Sequence, residues 1–302
     1  MRFLVVLTML IGSPFPIEQL GLEHAHELSR GSGVVVGIVD TGVNADRPAL
    51  AGAVLPGAEF PELGTGTRDE RGHGTDVAEL VVTVAPEAKI LPVKLNGNSV
   101  EANAAIRWAV DHGARVVNLS LGSSATGQYD EGLRYAAEHD VVVVAAAGNA
   151  GTDEGVTAPA NGSGVLAVSA VDRTGEFRPD ISVEGPEVAL AAPGVEVTPS
   201  SGSGTSFAAA VVSGVAALVR AKHPNLTVSE VVETLTSTAD DKGPAGRDPQ
   251  YGFGVVNPVK ALTETSTKRA SVLPWLMSAG LILAAATAAL LGVRRRSMRG
   301  KR

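Results

Sequence analysis

The sequence predicts an α/β protein: a mostly parallel sheet with helices on both faces, plus one C-terminal transmembrane helix. Three observations predict it. Apolar runs of strand length recur at residues 34–39, 89–95, 115–120, 141–147, 165–170 and 188–192, several of them unbroken, as in strands buried on both faces. Helix-like stretches alternate with these runs, the order of repeated strand–helix–strand units. Near the end, residues 272–293 form 22 positions without a charge. At about 1.5 Å per residue they cover the roughly 30 Å hydrocarbon layer of a membrane.

Composition narrows the class further. The 302 residues, 44% of them apolar, can hold one large domain or two small ones with a substantial core. Thirty-five glycines against 4% aromatics suit a tight-turned chain rich in Ala and Val. There is no cysteine, which excludes disulfides, thiolate metal sites and a cysteine nucleophile. The net charge of −7 conceals an asymmetry: residues 294–302 hold six of the 25 basic side chains and no acid. The remainder carries 19 basic against 32 acidic residues, a balance of −13, which argues against nucleic acid as a partner. No cofactor motif and no metal-ligand cluster is visible.

Taken in order, residues 1–14 begin with Met1-Arg2 and an apolar run from Phe3 to Ile11, the pattern of an export signal. The alternative is a buried first strand, ended by Pro14 and Pro16. Residues 15–263 form the expected globular domain. Within it, residues 17–30 are polar and partly helical, and the first strand ends in Asp40-Thr41-Gly42. An acid at the C-terminal end of a buried strand lies where open α/β sheets place their sites. Residues 77–84, 100–112 and 129–138 are helix-like. Gly202-Ser203-Gly204-Thr205-Ser206-Phe207-Ala208-Ala209-Ala210 runs on to Val219 as a long buried helix entered through two glycines. Thr227 and Glu230 make a capping box opening a helix that reaches Thr238. Residues 264–271 are a linker, 272–293 the span with Trp275 near one edge, and 294–302 a basic tail held in the cytoplasm. The domain between the two ends is thereby expected outside the cell membrane.

Four polar residues fall at the ends of separate elements. Taken alone, Thr205 or Ser206 reads as a helix cap, and Asn149 as a turn residue. His73, between Gly72 and Gly74, reads alone as a surface residue. Together they form a set suited to acyl transfer. A serine hydroxyl needs a base, an imidazole titrates near neutrality, and a carboxylate fixes the imidazole tautomer. In the order Asp40, His73, Ser206 the chain supplies all three. Asn149, after the Val/Ala strand and Gly148, adds a side-chain amide for the oxyanion beside the Ser206 backbone N–H.

Val39-Asp40-Thr41-Gly42, Gly72-His73-Gly74-Thr75, Ala146-Ala147-Gly148-Asn149 and Gly204-Thr205-Ser206-Phe207-Ala208-Ala209 resemble the four signature blocks of the subtilisin-like serine peptidases (subtilases). The resemblance covers residues 31–262 and implies a three-layer subtilisin-like fold. It also implies a cleft walled by Ser120, Leu121, Gly122, Ala147 and Gly148, with a hydroxyl contact from Thr205. The anchor and the lead-in from Gln19 to Val34 are similar to the mycosins, membrane-anchored proteases of type VII secretion systems. That likeness implies secretion-system membrane components as partners beside protein or peptide substrates, and offers a mainly structural role as the alternative to proteolysis. Two departures stand out: Ala210 where the family usually has Pro, and Asp76 where His is common.

Overall fold

The computed structural model describes residues 20–264 apart from 62–63, 97–100, 124–126 and 198–201. The expected export segment, the span, the basic tail and all but the first residue of the linker lie outside the described residues.

The apolar runs become strands β1 (Val35–Asp40), β3 (Lys89–Leu95), β4 (Val116–Leu119), β5 (Val142–Ala146), β6 (Val165–Val171) and β7 (Val188–Pro193), joined by a short β2 (Ala58–Phe60). They form one sheet in the order β2-β3-β1-β4-β5-β6-β7. Every neighbouring pair is parallel. Because side chains alternate across a strand, the same run supplies two cores. Val36, Ile38, Val116 and Val144 face one side, and Val39, Val117, Leu119 and Val143 face the other.

Among the described residues seven helices pack on these faces: α1 (Leu22–Leu28), α2 (His73–Val84), α3 (Ala102–Asp111), α4 (Asp130–Glu138), α5 (Thr205–Lys222), α6 (Val228–Ser237) and α7 (Pro258–Thr263). Leu80, Val81, Val215 and Leu218 from α2 and α5 fill the first core, together with residues of α1, α6 and α7. Ala105, Ile106 and Ala109 of α3 and Leu133 and Ala136 of α4 fill the second. The three layers are those expected.

The helix α5 is the axis of the first layer. Every residue from Thr205 to Arg220 is buried. Its length and mean hydropathy of 1.3 would suit a membrane, but 89% of it lies inside the fold, so it is a core helix. Its far end is fastened. Arg220 Nη1 donates to Asp140 Oδ2 (3.0 Å) and Nη2 to the Asp140 carbonyl (2.7 Å), and Arg115 Nη2 reaches the same carboxylate oxygen at 3.0 Å. The capping box of α6 is present as expected, with Thr227 N–H on Glu230 Oε2 (2.8 Å) and Glu230 N–H on Thr227 Oγ1 (3.3 Å).

Three differences from the expected elements bear on the site. First, α2 begins at His73 rather than Val77, so the imidazole stands at a helix N-terminus. Second, of the two glycines before α5 only Gly202 takes a left-handed angle (φ 65°); Gly204 is extended at φ 171°. Third, neither Thr205 nor Ser206 is the cap of α5, whose N-cap is Gly204 without a side-chain bond. β2 and α7 were not anticipated; each is short, and β2 is half-buried at a sheet edge.

Chain order reverses between β1 and β4: β3 follows β1 on one side, while β4 to β7 extend on the other. Crevices at such reversals, outside the carboxyl ends of parallel strands, are where open sheets bind ligands. Asp40 ends β1 and Ser120 follows β4.

Candidate active site

The carboxylate of Asp40 has a side chain only 2% exposed, and its Oδ1 accepts from His73 Nδ1 at 2.7 Å and from Thr41 N–H at 2.7 Å. An ionised carboxylate can only accept, so Nδ1 carries the proton and Nε2 of neutral His73 is left as acceptor. Close approach depends on Gly74. A Cβ there would lie 2.3 Å from the Gly42 carbonyl oxygen and 3.0 Å from Asp40 Cβ, so any larger residue would push α2 off the strand end.

Two further side chains fix the start of α2. Helix N-termini expose unpaired N–H groups, and here Thr41 Oγ1 accepts from Gly74 N–H at 3.0 Å. Asp69, 6% exposed, takes the N–H groups of Gly72 and Thr75. Its Oδ2 accepts from Thr75 N–H (2.9 Å) and Thr75 Oγ1 (2.6 Å), and its Oδ1 from Thr41 Oγ1 (2.8 Å), Gly72 N–H (2.9 Å) and Arg71 N–H (3.1 Å). Burial alone would raise the Asp69 pKa, but the bonds from Thr75, Thr41 and Gly72 outweigh it and hold the carboxyl below its usual range. Asp69, Thr41 and Thr75 were not picked out from sequence. The available signal was an acid four residues before a glycine-flanked histidine at a helix start.

Burial also opposes charge on His73, yet the Asp40 hydrogen bond and charge, aided by Asp69 and Asp76, raise its pKa above the ordinary value of 6.5. Asp76 is itself raised, by burial and by Glu79, against the pull of Arg47.

Ser206 is the second residue of α5 and is 8% exposed. The His73 ring lies 5.9 Å, centroid to centroid, from the ring of Phe207, the next residue. At rest the Ser206 hydroxyl donates to the Ser120 carbonyl at 3.4 Å, a long and weak bond. Ser120 is held in turn: its hydroxyl donates to the Ser206 carbonyl (2.9 Å) and accepts from Asn118 Nδ2 (2.8 Å), and Asn118 Oδ1 accepts from Ser213 (3.0 Å). This buried chain ties the end of β4 to two turns of α5.

The carboxamide of Asn149 is oriented by α5. Its Oδ1 accepts from Thr205 N–H at 2.9 Å and Thr205 Oγ1 at 3.0 Å. A backbone N–H can only donate, so the oxygen is assigned and Nδ2 is left as the outward group. Phe207 N–H bonds the Gly204 carbonyl, while Ser206 N–H has no partner among the described residues. Thr205 is fully buried; its hydroxyl donates to Asn149 Oδ1 and accepts from Gly148 N–H (3.3 Å).

A cleft of about 630 Å³ opens beside His73, lined by Arg71, Leu95, Ser120, Leu121, Gly122 and Tyr129 among others. The expected walls Ser120, Leu121 and Gly122 are there. Ala147 is not. It follows the end of β5 and is fully buried against Val183 and Val188, while the Gly148 N–H is bound to Thr205 Oγ1. Among the described residues no group of three acids or histidines is placed to hold a metal.

A parallel sheet with a carboxylate-bound imidazole at its rim and a serine at the head of its core helix is an arrangement suited to serine-type hydrolysis. Comparison then specifies it: residues 31–254 match the subtilase family, and the chain belongs to that family as a subtilisin-like serine endopeptidase. It is 35% identical over 271 residues to the thermostable alkaline protease of Halalkalibacterium halodurans, covering 82% of this chain and 73% of that one. It is 35% identical over 253 residues to subtilisin DY of Bacillus licheniformis, covering 76% and 90%. Among solved structures it resembles the MycP3 protease of the type VII (ESX-3) secretion system, with TM-score 0.69, 34% identity and coverage of 83% and 88%. MycP1 without its propeptide gives TM-score 0.75 at 28% identity, covering 84% and 98%.

Proposed function

We propose that the chain is a membrane-anchored, extracytoplasmic serine endopeptidase using Asp40, His73 and Ser206, and that it works with a type VII secretion system. The 2.7 Å bond between Asp40 and His73 at the head of α2, with the His73 ring 5.9 Å from that of Phe207 in α5, carries the catalytic part of this reading. In the reaction Ser206 Oγ turns from the Ser120 carbonyl toward His73 Nε2. The Oγ–carbon bond forms as the proton passes to Nε2, and the carbonyl electron pair moves onto oxygen. Asn149 Nδ2 and Ser206 N–H are the donors for that oxyanion. Collapse breaks the C–N bond, and His73 returns the proton to the leaving amine. Water then repeats the sequence on the acyl-enzyme, with His73 again as base. Extended substrate lies in the cleft as an added strand along Ser120 to Gly122.

The test is labelling by a fluorophosphonate probe. Wild type should react, and Ser206→Ala should not, while retaining the wild-type circular dichroism spectrum. Unchanged labelling of the variant would assign the nucleophile elsewhere.

The setting rests on the charge-free stretch at 272–293 with its basic flank and on the likeness to the MycP proteases. A second reading, a structural subunit of a secretion complex, is favoured by one neighbour's description as an essential component of the ESX-1 system. A secretion assay comparing Ser206→Ala with deletion of residues 264–302 separates them. A scaffold tolerates the first change and fails with the second.

A further inference from the structure

The cleft beside His73 contains one charged group that no part of the protein uses. Arg71 lies two residues before His73, is exposed, and lines the cleft with Leu95, Leu121 and Tyr129. Its backbone N–H is bound by Asp69, but among the described residues its guanidinium makes no ion pair or hydrogen bond. The charges around it are already matched. Glu70 holds Lys94 at 2.7 Å and Arg68 at 3.0 Å, and Lys94 also reaches Glu59 at 3.4 Å. Those two acids and two bases balance. Asp69 is buried under five donors, Asp40 is spent on His73 and Thr41, and Asp76 faces Arg47 at 3.7 Å. In a domain otherwise strongly acidic, the open cleft therefore presents a cation and, among the described residues, no free carboxylate.

A second unspent donor stands in the same cleft. Tyr129 lines it, with a hydroxyl that makes no hydrogen bond among the described residues and is not sealed from solvent, so it is open to a ligand. The same lining includes the apolar side chains of Leu95 and Leu121. A fork of five N–H groups on a planar cation matches a carboxylate in two parallel bonds, which a neutral amide or a cation cannot reproduce.

We propose that Arg71 is a specificity-determining residue, selecting peptides with an Asp or Glu side chain in the segment that lies in the cleft against His73. Tyr129 adds a donor for a polar group of the same segment. The proposal rests on the peptidase reading for its site, but its binding step can be measured without turnover.

The test uses the full-length chain and fluorogenic peptides that differ only in Glu, Gln or Lys, placed in turn at each residue near the scissile bond. At one position wild type should prefer Glu over its isostere Gln by about five- to tenfold in kcat/KM, as expected of a partly exposed charge pair. Raising the salt concentration should shrink that ratio. In Arg71→Gln the ratio should fall to about one, and in Arg71→Glu it should turn toward Lys. Arg68→Gln, a nearby cation outside the cleft, should leave the ratio as it was. In parallel, Ser206→Ala should bind the labelled Glu peptide more tightly than the Gln peptide, as read by fluorescence anisotropy. No preference at any position, or a preference that survives Arg71→Gln, overturns the proposal. A binding preference without any cleavage upholds it and removes the peptidase reading instead.

Discussion

At Asp40 a single oxygen carries both contacts: Oδ1 serves His73 and Thr41, while Oδ2 is buried without a hydrogen-bond partner. The charge is therefore directed at the imidazole and little else. Since His73 is raised by that charge, it is a base only above its raised pKa, and kcat/KM should climb with pH through it. Asp40→Asn should lower the plateau by about 10⁴-fold through the wrong tautomer and shift the acid limb to lower pH, read from a pH–rate profile. Asn149→Ala should lower kcat by about 10²–10³-fold, typical of one oxyanion donor, with KM little changed. Asp40, His73, Ser206 and Asn149 were legible because each sits in a short glycine-marked block at an element's end. Asp69 was not, since its five bonds exist only once the loop closes over Thr41 and Thr75. Arg71 was invisible for the same reason: nothing local says that its side chain borders a cleft.

Among the elements, α2 depends most on a single residue. Replacing the Asp69 carboxylate by an amide puts NH₂ where N–H and O–H groups already point, leaving buried donors unpaired. Asp69→Asn should cost about 2 kcal/mol, seen as a lower urea midpoint with an unchanged slope. The sign of its pH dependence follows from its depressed pKa. The carboxylate contributes stability above its ordinary value of 3.8, and that stability is lost as pH falls through the lower folded value. In α6, Thr227→Ala removes the side-chain half of the capping box, leaving the Thr227 N–H on Glu230 Oε2, and should cost about 1 kcal/mol. The helices were readable from period and caps, but the start of α2 was placed too late. Its caps come from Thr41 and Asp69, outside any local pattern.

For the whole molecule, unbroken apolar runs revealed a buried parallel sheet, whereas strand order was not readable. Nothing in Val35–Asp40 says that β3 and β4 flank it; that follows from how crossovers pack α2 on one face and α3 on the other. Fractionation of cells should find the full chain with membranes and a chain ending at residue 263 in the soluble fraction. A full chain recovered soluble and unclipped would remove the anchor from the proposal.

The rod bearing the serine is pinned at both tips, by the amide of Asn149 at its head and by the Arg220–Asp140 clamp at its foot. It has no room to slide or rotate when a peptide arrives. Adaptation to different sequences falls to the cleft lining at Arg71, Leu95 and Leu121, so laboratory retargeting of this enzyme should begin there and leave the rod alone.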